Sequence, residues 1–317
     1  MKRWYGLNDA EPGRCVVAIG VYDGVHRGHR MLVRRAIDDA RSRGLAAVVL
    51  TFDPNPAEVV RADPPGRLST LAQRLLLLEH LGPDATLVMN FTDEVAQQSP
   101  EQFVNEVLVD GLGAAAVVVG ENFRFGHRAS GDVEALRTFG QPRGMDVDAV
   151  PLLSQELLGR EDVPISSTEI RGLVRAGDVA GATRALARPH RVEGPVVRGD
   201  ARGRELGYPT ANLDPTELAV IPAEGVYAGR LVVAPYGEES RTLPAAISVG
   251  TNATFGSGDL RVEAFALDAP EDLDLYDQYA AIDFVGRIRD QRTFRTPEEL
   301  VDQMASDVKR TRDLLGL

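Results

Sequence analysis

Residues 20–29 read Gly-Val-Tyr-Asp-Gly-Val-His-Arg-Gly-His, and two of the chain's five histidines, His26 and His29, stand there with Gly28 between them. The apolar run Cys15–Ile19 precedes this decapeptide, and a helical pattern with Leu32, Val33, Ala36, Ile37 and Ala40 on one face follows it. A strand, a glycine-rich turn and a helix N-terminus make an anion site, because unpaired N–H groups and the helix dipole point at one spot. Gly20, Asp23, Gly24 and Gly28 shape the turn, and two imidazoles add side-chain donors aimed at a phosphate. The plain alternative is a tight βα turn with two surface histidines; the lead-in and the strand–helix context favour the phosphate cradle.

Three further groups have the types and spacing for chemistry. In Ile165–Arg171, Ser166, Ser167 and Thr168 open a helix, with Arg171 one turn beyond Thr168. That is either an ordinary N-cap with a solvated arginine or a clamp in which hydroxyls, N–H groups and a guanidinium meet one polyphosphate. Gly199, Gly203 and Gly207 punctuate a loop ending Pro209-Thr210-Ala211-Asn212. Glycines let backbone N–H groups approach a phosphate, and the neutral oxygens of Thr210 and Asn212 suit Mg²⁺ rather than zinc. As a bare loop it is equally a flexible hairpin. Glu263 shares a strand face with Phe265 and Leu267. It is either an edge residue reaching solvent or a general base whose partly apolar setting raises its pKa.

Composition narrows the chemistry. The chain has 317 residues, a net charge of −12 and one cysteine, Cys15. The length favours two domains, and the acidity argues against a nucleic-acid surface. A lone cysteine excludes an internal disulfide and fits a reducing cytoplasm, with Cys15 packed as a small apolar residue. No run reaches the length of a signal peptide or a membrane span. Lys2 and Lys309 are the only lysines, so no P-loop exists, and phosphates must be held by histidine, arginine, backbone N–H groups and a metal ion.

The elements that would position these groups follow from periodicity. Apolar runs at 15–19, 46–52, 86–91, 114–120 and 145–150 alternate with helical patterns at 68–81, 100–112 and 132–139. This predicts an α/β, doubly wound parallel sheet of five strands with ligands beyond the strands' carboxyl ends, where the decapeptide, 51–56 and 120–126 fall. From His190 the pattern becomes short alternating runs at 191–198, 225–233, 245–249, 262–267 and 281–285. These predict a small antiparallel β-barrel. Thr296-Pro297-Glu298-Glu299 then reads as a capping box opening a terminal helix whose stripe is Leu300, Met304, Val308 and Leu315. His80, His127 and His190 stand outside any constellation.

The decapeptide, Gly-Glu-Asn-Phe-Arg-Phe-Gly at 120–126, Ile-Ser-Ser-Thr-Glu-Ile-Arg and Pro-Thr-Ala-Asn resemble, in order and spacing, the signature segments of the bacterial bifunctional riboflavin kinase/FAD synthetase family. The resemblance spans nearly the whole chain. It implies a nucleotidylyltransferase-type domain at 1–183 and a riboflavin kinase domain at 184–317. It implies that His26 and His29 orient ATP and stabilise leaving pyrophosphate, while Arg171, Ser166, Ser167 and Thr168 hold phosphates from the opposite side. Asn122 and Phe123 would contact flavin, Arg289 matches a lid arginine, Thr210 and Asn212 would ligate Mg²⁺, and Glu263 would take the proton from the riboflavin 5′-hydroxyl. Departures are Tyr22 for a usual phenylalanine, Asn55 for histidine, Ala253 for proline, Asp277 for glycine and Thr293 for lysine.

The implied reactions are phosphorylation of riboflavin to FMN and adenylyl transfer from ATP to FMN. They need Mg²⁺, with ATP and flavins as substrates and products, in a cytoplasmic enzyme. The partners are riboflavin, FMN, FAD and ATP, without nucleic acid or membrane, in a possible weak homo-oligomer. Two rivals are a kinase fused to a transferase for another phosphate ester, and a flavin-nucleotide-binding regulator with degenerate catalysis.

Overall fold

The computed structural model describes residues 1–11, 13–157, 160–197, 210–214, 219–237, 239–251, 260–269, 275–276 and 278–317. The chain divides into two compact units, Met1–Pro65 with Thr70–Ser166, and Gly66–Ser69 with Ser167–Leu317.

The first unit is a parallel sheet. Its strands are β1 (Lys2–Trp4), β2 (Cys15–Ile19), β3 (Ala46–Asp53), β4 (Ala85–Asn90), β5 (Ala114–Gly120) and β6 (Asp146–Val150), in the order β1-β4-β3-β2-β5-β6. Alternate residues of the central strands feed two cores. Val17, Ile19, Val48 and Leu50 pack with Phe103, Val104 and Leu108 on one face. Val16, Ala18, Ala47 and Val49 pack on the other with Val33, Ala36, Ile37 and Ala40 of α1 (Arg27–Arg43). Burial on both faces is why these strands read as continuous apolar runs. Cys15 is buried in β2, and burial pushes its thiol up to about 12. Strand order reverses between β2 and β5, the place where open α/β sheets take ligands.

Three of the strands escaped the periodicity. β1 is a three-residue parallel edge strand beside β4, too short to show a pattern. Ser154–Leu157 and Arg160–Pro164, β7 and β8, pair as a hairpin. The helix expected at 68–81 is shorter, α2 (Leu71–Glu79), because Thr70 caps it by accepting a hydrogen bond from the Gln73 N–H at 3.1 Å. The helix opening at Pro100–Gln102 continues through Phe103–Gly111 with wider, i→i+5 winding.

The second unit opens with two helices, Ser167–Arg175 and Val179–Leu186. A closed antiparallel barrel follows, made of β9 (His190–Val197), β10 (Thr210–Leu213), β11 (Gly225–Val233), β12 (Arg241–Thr251), β13 (Leu260–Ala266) and β14 (Tyr279–Arg289). Its interior takes alternate residues, among them Val192, Val196, Ala211, Leu213, Ile247, Val262, Ala264 and Phe284. The segment carrying Thr210 and Asn212 is the sixth strand; it closes the ring between β9 and β13.

The C-terminal helix, Pro297–Leu315, is capped by Thr296 as expected, but Glu299 accepts from the Arg295 N–H at 3.0 Å rather than from the cap residue's own N–H. Leu300, Met304, Val308 and Leu315 are only half-buried; the fully buried positions are Asp307 and Thr311. An apolar stripe therefore misjudged this helix, whose docking centres on a buried carboxylate.

His190 is buried, its Nε2–H donates to the Val220 carbonyl at 2.7 Å, and burial lowers its pKa to about 4. An unfolded histidine titrates near 6.5. The unfolded chain therefore binds the extra proton first, and stability is full above pH ~6.5 and lost as pH falls towards 4. The expected loss is about 3 kcal/mol, at roughly 1.4 kcal/mol per pH unit. Denaturant unfolding across this range should show a flatter profile for H190Q than for the unchanged protein; parallel profiles would contradict the assignment.

Candidate active sites

The turn after β2 holds the histidine pair. His26 is the N-cap of α1, and its Nδ1 accepts a hydrogen bond from the His29 N–H at 3.3 Å. Accepting at Nδ1 puts the His26 proton on Nε2. The His26 and His29 rings stack at 3.5 Å and 20°, and Tyr22 meets His29 edge-on at 5.2 Å. A Cβ on Gly28 would stand 3.3 Å from the His26 ring, and one on Gly20 3.0 Å from the Tyr22 ring. Tyr22, Gly24 and Val25 have φ of 54°, 78° and 40°. Positive φ in a β-branched residue marks a backbone held by its surroundings rather than by preference. Asp23 is buried within the turn.

His29 is half-buried, with Nδ1 sealed from solvent and, among the described residues, without a hydrogen-bond partner. Burial, then the His26 imidazole, then the Arg74 cation hold its pKa well below the ordinary range. At neutral pH the ring is uncharged, so it offers a phosphate a hydrogen bond rather than a full charge.

Beside the turn lies a cleft of about 670 Å³. Phe52, Phe91, Phe103, Phe123, Phe125 and His127 line it, with Phe52 and Phe91 edge-to-face at 5.6 Å and Phe123 stacked on Phe125 at 5.5 Å. Such a slot suits a flat aromatic ligand. Phe123 falls here as the sequence suggested, whereas Asn122 is exposed beside Gly120 and does not line the cleft. His127, which stands outside any constellation in the sequence, does line it. Asn55 caps Pro56–Val60 by accepting from the Ala57 N–H at 3.0 Å.

Ser166 ends the first unit, and Ser167, Thr168 and Arg171 begin the second. Thr168 is exposed and Arg171 buried, so they do not share a solvent face; Arg171 Nε donates to the Gly66 carbonyl at 2.7 Å.

On the barrel, the interior residues of β10 and β13 are Ala211, Leu213, Val262 and Ala264, so Thr210, Asn212, Glu263 and Phe265 face outwards. Asn212 lies opposite Glu263, which in turn lies opposite Ser248 of β12, giving one row across three strands. Glu263 is half-buried. Asn212 is buried; its Nδ2 reaches Thr210 Oγ1 at 3.5 Å, and its Oδ1 has no partner among the described residues. A buried acceptor left open beside a hydroxyl fits a hard cation. Gly199, Gly203 and Gly207 lie outside the described residues, as do Ala253 and Asp277.

Arg289 has a structural partner. Its Nε and Nη2 donate to the buried Asp307 carboxylate, with Nη2 at 2.7 Å from Oδ2, and Nη1 donates to the Asp290 carbonyl at 2.9 Å. Beside its expected place in the lid, Arg289 therefore has a structural contact: the guanidinium pins the C-terminal helix to β14.

The family model described as FAD synthetase matches residues 8–169, and that described as riboflavin kinase matches 186–315. The bifunctional riboflavin kinase/FMN adenylyltransferase of Escherichia coli (strain K12) is 33% identical over 314 residues, spanning 99% of this chain and 96% of its own. The protein of the same name from Bacillus subtilis (strain 168) is 30% identical over 304 residues, spanning 94% and 91%. A Streptococcus pneumoniae crystal structure described as a macrolide-efflux protein superposes with a TM-score of 0.84 and 30% identity over 98% of both chains. Among the described residues of this chain no helix is long and apolar enough to cross a membrane. The chain belongs to the bifunctional riboflavin kinase/FMN adenylyltransferase family.

Removing Arg289 would leave Asp307 buried without its cation, which costs about 3–5 kcal/mol. R289A should lower the thermal midpoint and expose the C-terminal helix to limited proteolysis. An unchanged melt would return Arg289 to a role at the flavin.

Proposed function

We propose that this chain makes both flavin cofactors, phosphorylating riboflavin to FMN on the barrel and adenylylating FMN to FAD on the parallel-sheet unit. The observation that carries the reading is kinship at 33% identity over 99% of the chain with a protein that bears both activities in its name. Kinship over both halves favours this over a degenerate regulator, and over a transferase for another phosphate ester.

In adenylyl transfer, an FMN phosphate oxygen attacks the α-phosphorus of ATP, the bond to the β-phosphate breaks, and pyrophosphate leaves. His26 and His29 meet the phosphates as hydrogen-bond donors, on a turn whose N–H groups and helix dipole favour the growing negative charge. Ser166, Ser167, Thr168 and Arg171 supply further phosphate contacts. The isoalloxazine lies among the phenylalanines of the cleft.

In the kinase reaction, Glu263 takes the proton from the riboflavin 5′-hydroxyl as that oxygen bonds to the γ-phosphorus and ADP departs. Thr210 and Asn212 would hold Mg²⁺, which supplies charge neutralisation on the phosphates. The glycines of 199–207 would cradle the same phosphates. Lone Cys15 suits a cytoplasmic location.

Replacing Glu263 by alanine tests the division of labour. Riboflavin phosphorylation should fall at least about 100-fold, the scale of a lost general base, with FMN-to-FAD conversion retained. Loss of both activities in a folded E263A protein would contradict the proposal.

A further inference from the structure

Arg74, on α2, is only 5% exposed. Its Nη1 donates to the Val21 carbonyl at 2.8 Å, its Nη2 donates to the Phe52 carbonyl at 2.9 Å, and the Asp53 carboxylate lies 3.5 Å from Nη2. A cation buried this deeply is expensive unless its donors are matched. The two carbonyls belong to different parts of the adenylyl-transfer site. Val21 is the second residue of the histidine turn and Phe52 is near the end of β3; both line the aromatic cleft.

The sheet ladder explains why a clamp is required. Gly20 N–H donates to the Leu50 carbonyl at 3.1 Å, continuing the β2–β3 register. One residue later the Val21 carbonyl accepts instead from Thr51 Oγ1 at 3.0 Å and from Arg74. The turn has left the sheet, and side chains take over the pairing of its backbone.

We propose that Arg74 is the positioning residue of adenylyl transfer: its forked guanidinium fixes the histidine turn against the flavin cleft without touching either substrate. This rests on the function proposed above. Each fork nitrogen donates to a backbone carbonyl of the site, and through these bonds Arg74 acts on the turn it holds. Planar bidentate geometry is a property of guanidinium that an ammonium cannot reproduce. Charge and geometry are therefore separable by substitution.

The test compares R74K and R74Q with the unchanged protein, following FMN adenylylation, riboflavin phosphorylation by the same chain, and ATP affinity by calorimetry. R74K keeps the cation and loses the fork; its kcat for FAD formation should fall at least tenfold, with the KM for ATP within about threefold of the original. R74Q loses both, so kcat falls and the KM for ATP rises. Riboflavin phosphorylation should stay within twofold in each variant. A wild-type kcat in R74K would overturn the proposal, as would full FAD formation in R74Q. Parallel loss of both activities would also overturn it, since Arg74 would then serve folding alone. If the unchanged protein forms no FAD, that counts against the assigned reaction, while an ATP affinity unaltered in R74Q would separately count against Arg74.

Discussion

The turn at the carboxyl end of β2 must leave its sheet without leaving backbone polar groups unpaired, and the first unit is arranged around that constraint. Buried N–H and C=O groups need partners. Here they come from unusual sources: the Thr51 hydroxyl and Arg74 for the Val21 carbonyl, and the His26 imidazole for the His29 N–H. Tyr22 and Val25 sit at positive φ as a consequence. Each such residue costs on the order of 1–3 kcal/mol, a strain that persists only where the surroundings over-determine it. The result is a rigid ledge on which two rings stack above a helix N-terminus, uncharged in the case of His29.

The barrel uses a different device. Its interior is closed and apolar, so chemistry has to be placed on the outer face of the strands. Asn212 Oδ1 is buried there without a partner among the described residues. Leaving a buried acceptor open costs about 1–3 kcal/mol, and a ligand that supplies the missing partner recovers it. Strand register fixes Glu263 directly opposite. Position on a pleated strand thus does for Asn212 and Glu263 what a strained turn does for His26 and His29.

The sequence made local periodicity readable and left long-range pairing hidden. The five parallel strands, α1 and the five barrel runs were legible because each buries a regular set of apolar positions. Thr210 was legible as sharing a face with Asn212, and Glu263 with Phe265, because pleating alternates; that the two pairs meet across β10 and β13 came only with the register. Arg74 was not: one arginine in a helical pattern is indistinguishable from a solvated one until Val21 and Phe52 are brought to it. Asp307 and Arg289 are hidden for the same reason, since the pair joins a helix to a strand and each residue alone looks exposed. His127 had no constellation in sequence because its neighbours in the cleft come from several separate strands and helices. Thr168 and Arg171 failed in the opposite sense, since helical spacing put them together and burial of Arg171 separates them.

Riboflavin phosphorylation and FMN adenylylation by one chain act in series on the same flavin. The most direct measurement incubates the unchanged protein with riboflavin, ATP and Mg²⁺ and separates the flavins by chromatography over time. FMN should appear first and then decline as FAD accumulates with release of pyrophosphate. Riboflavin remaining as the sole flavin would contradict the account.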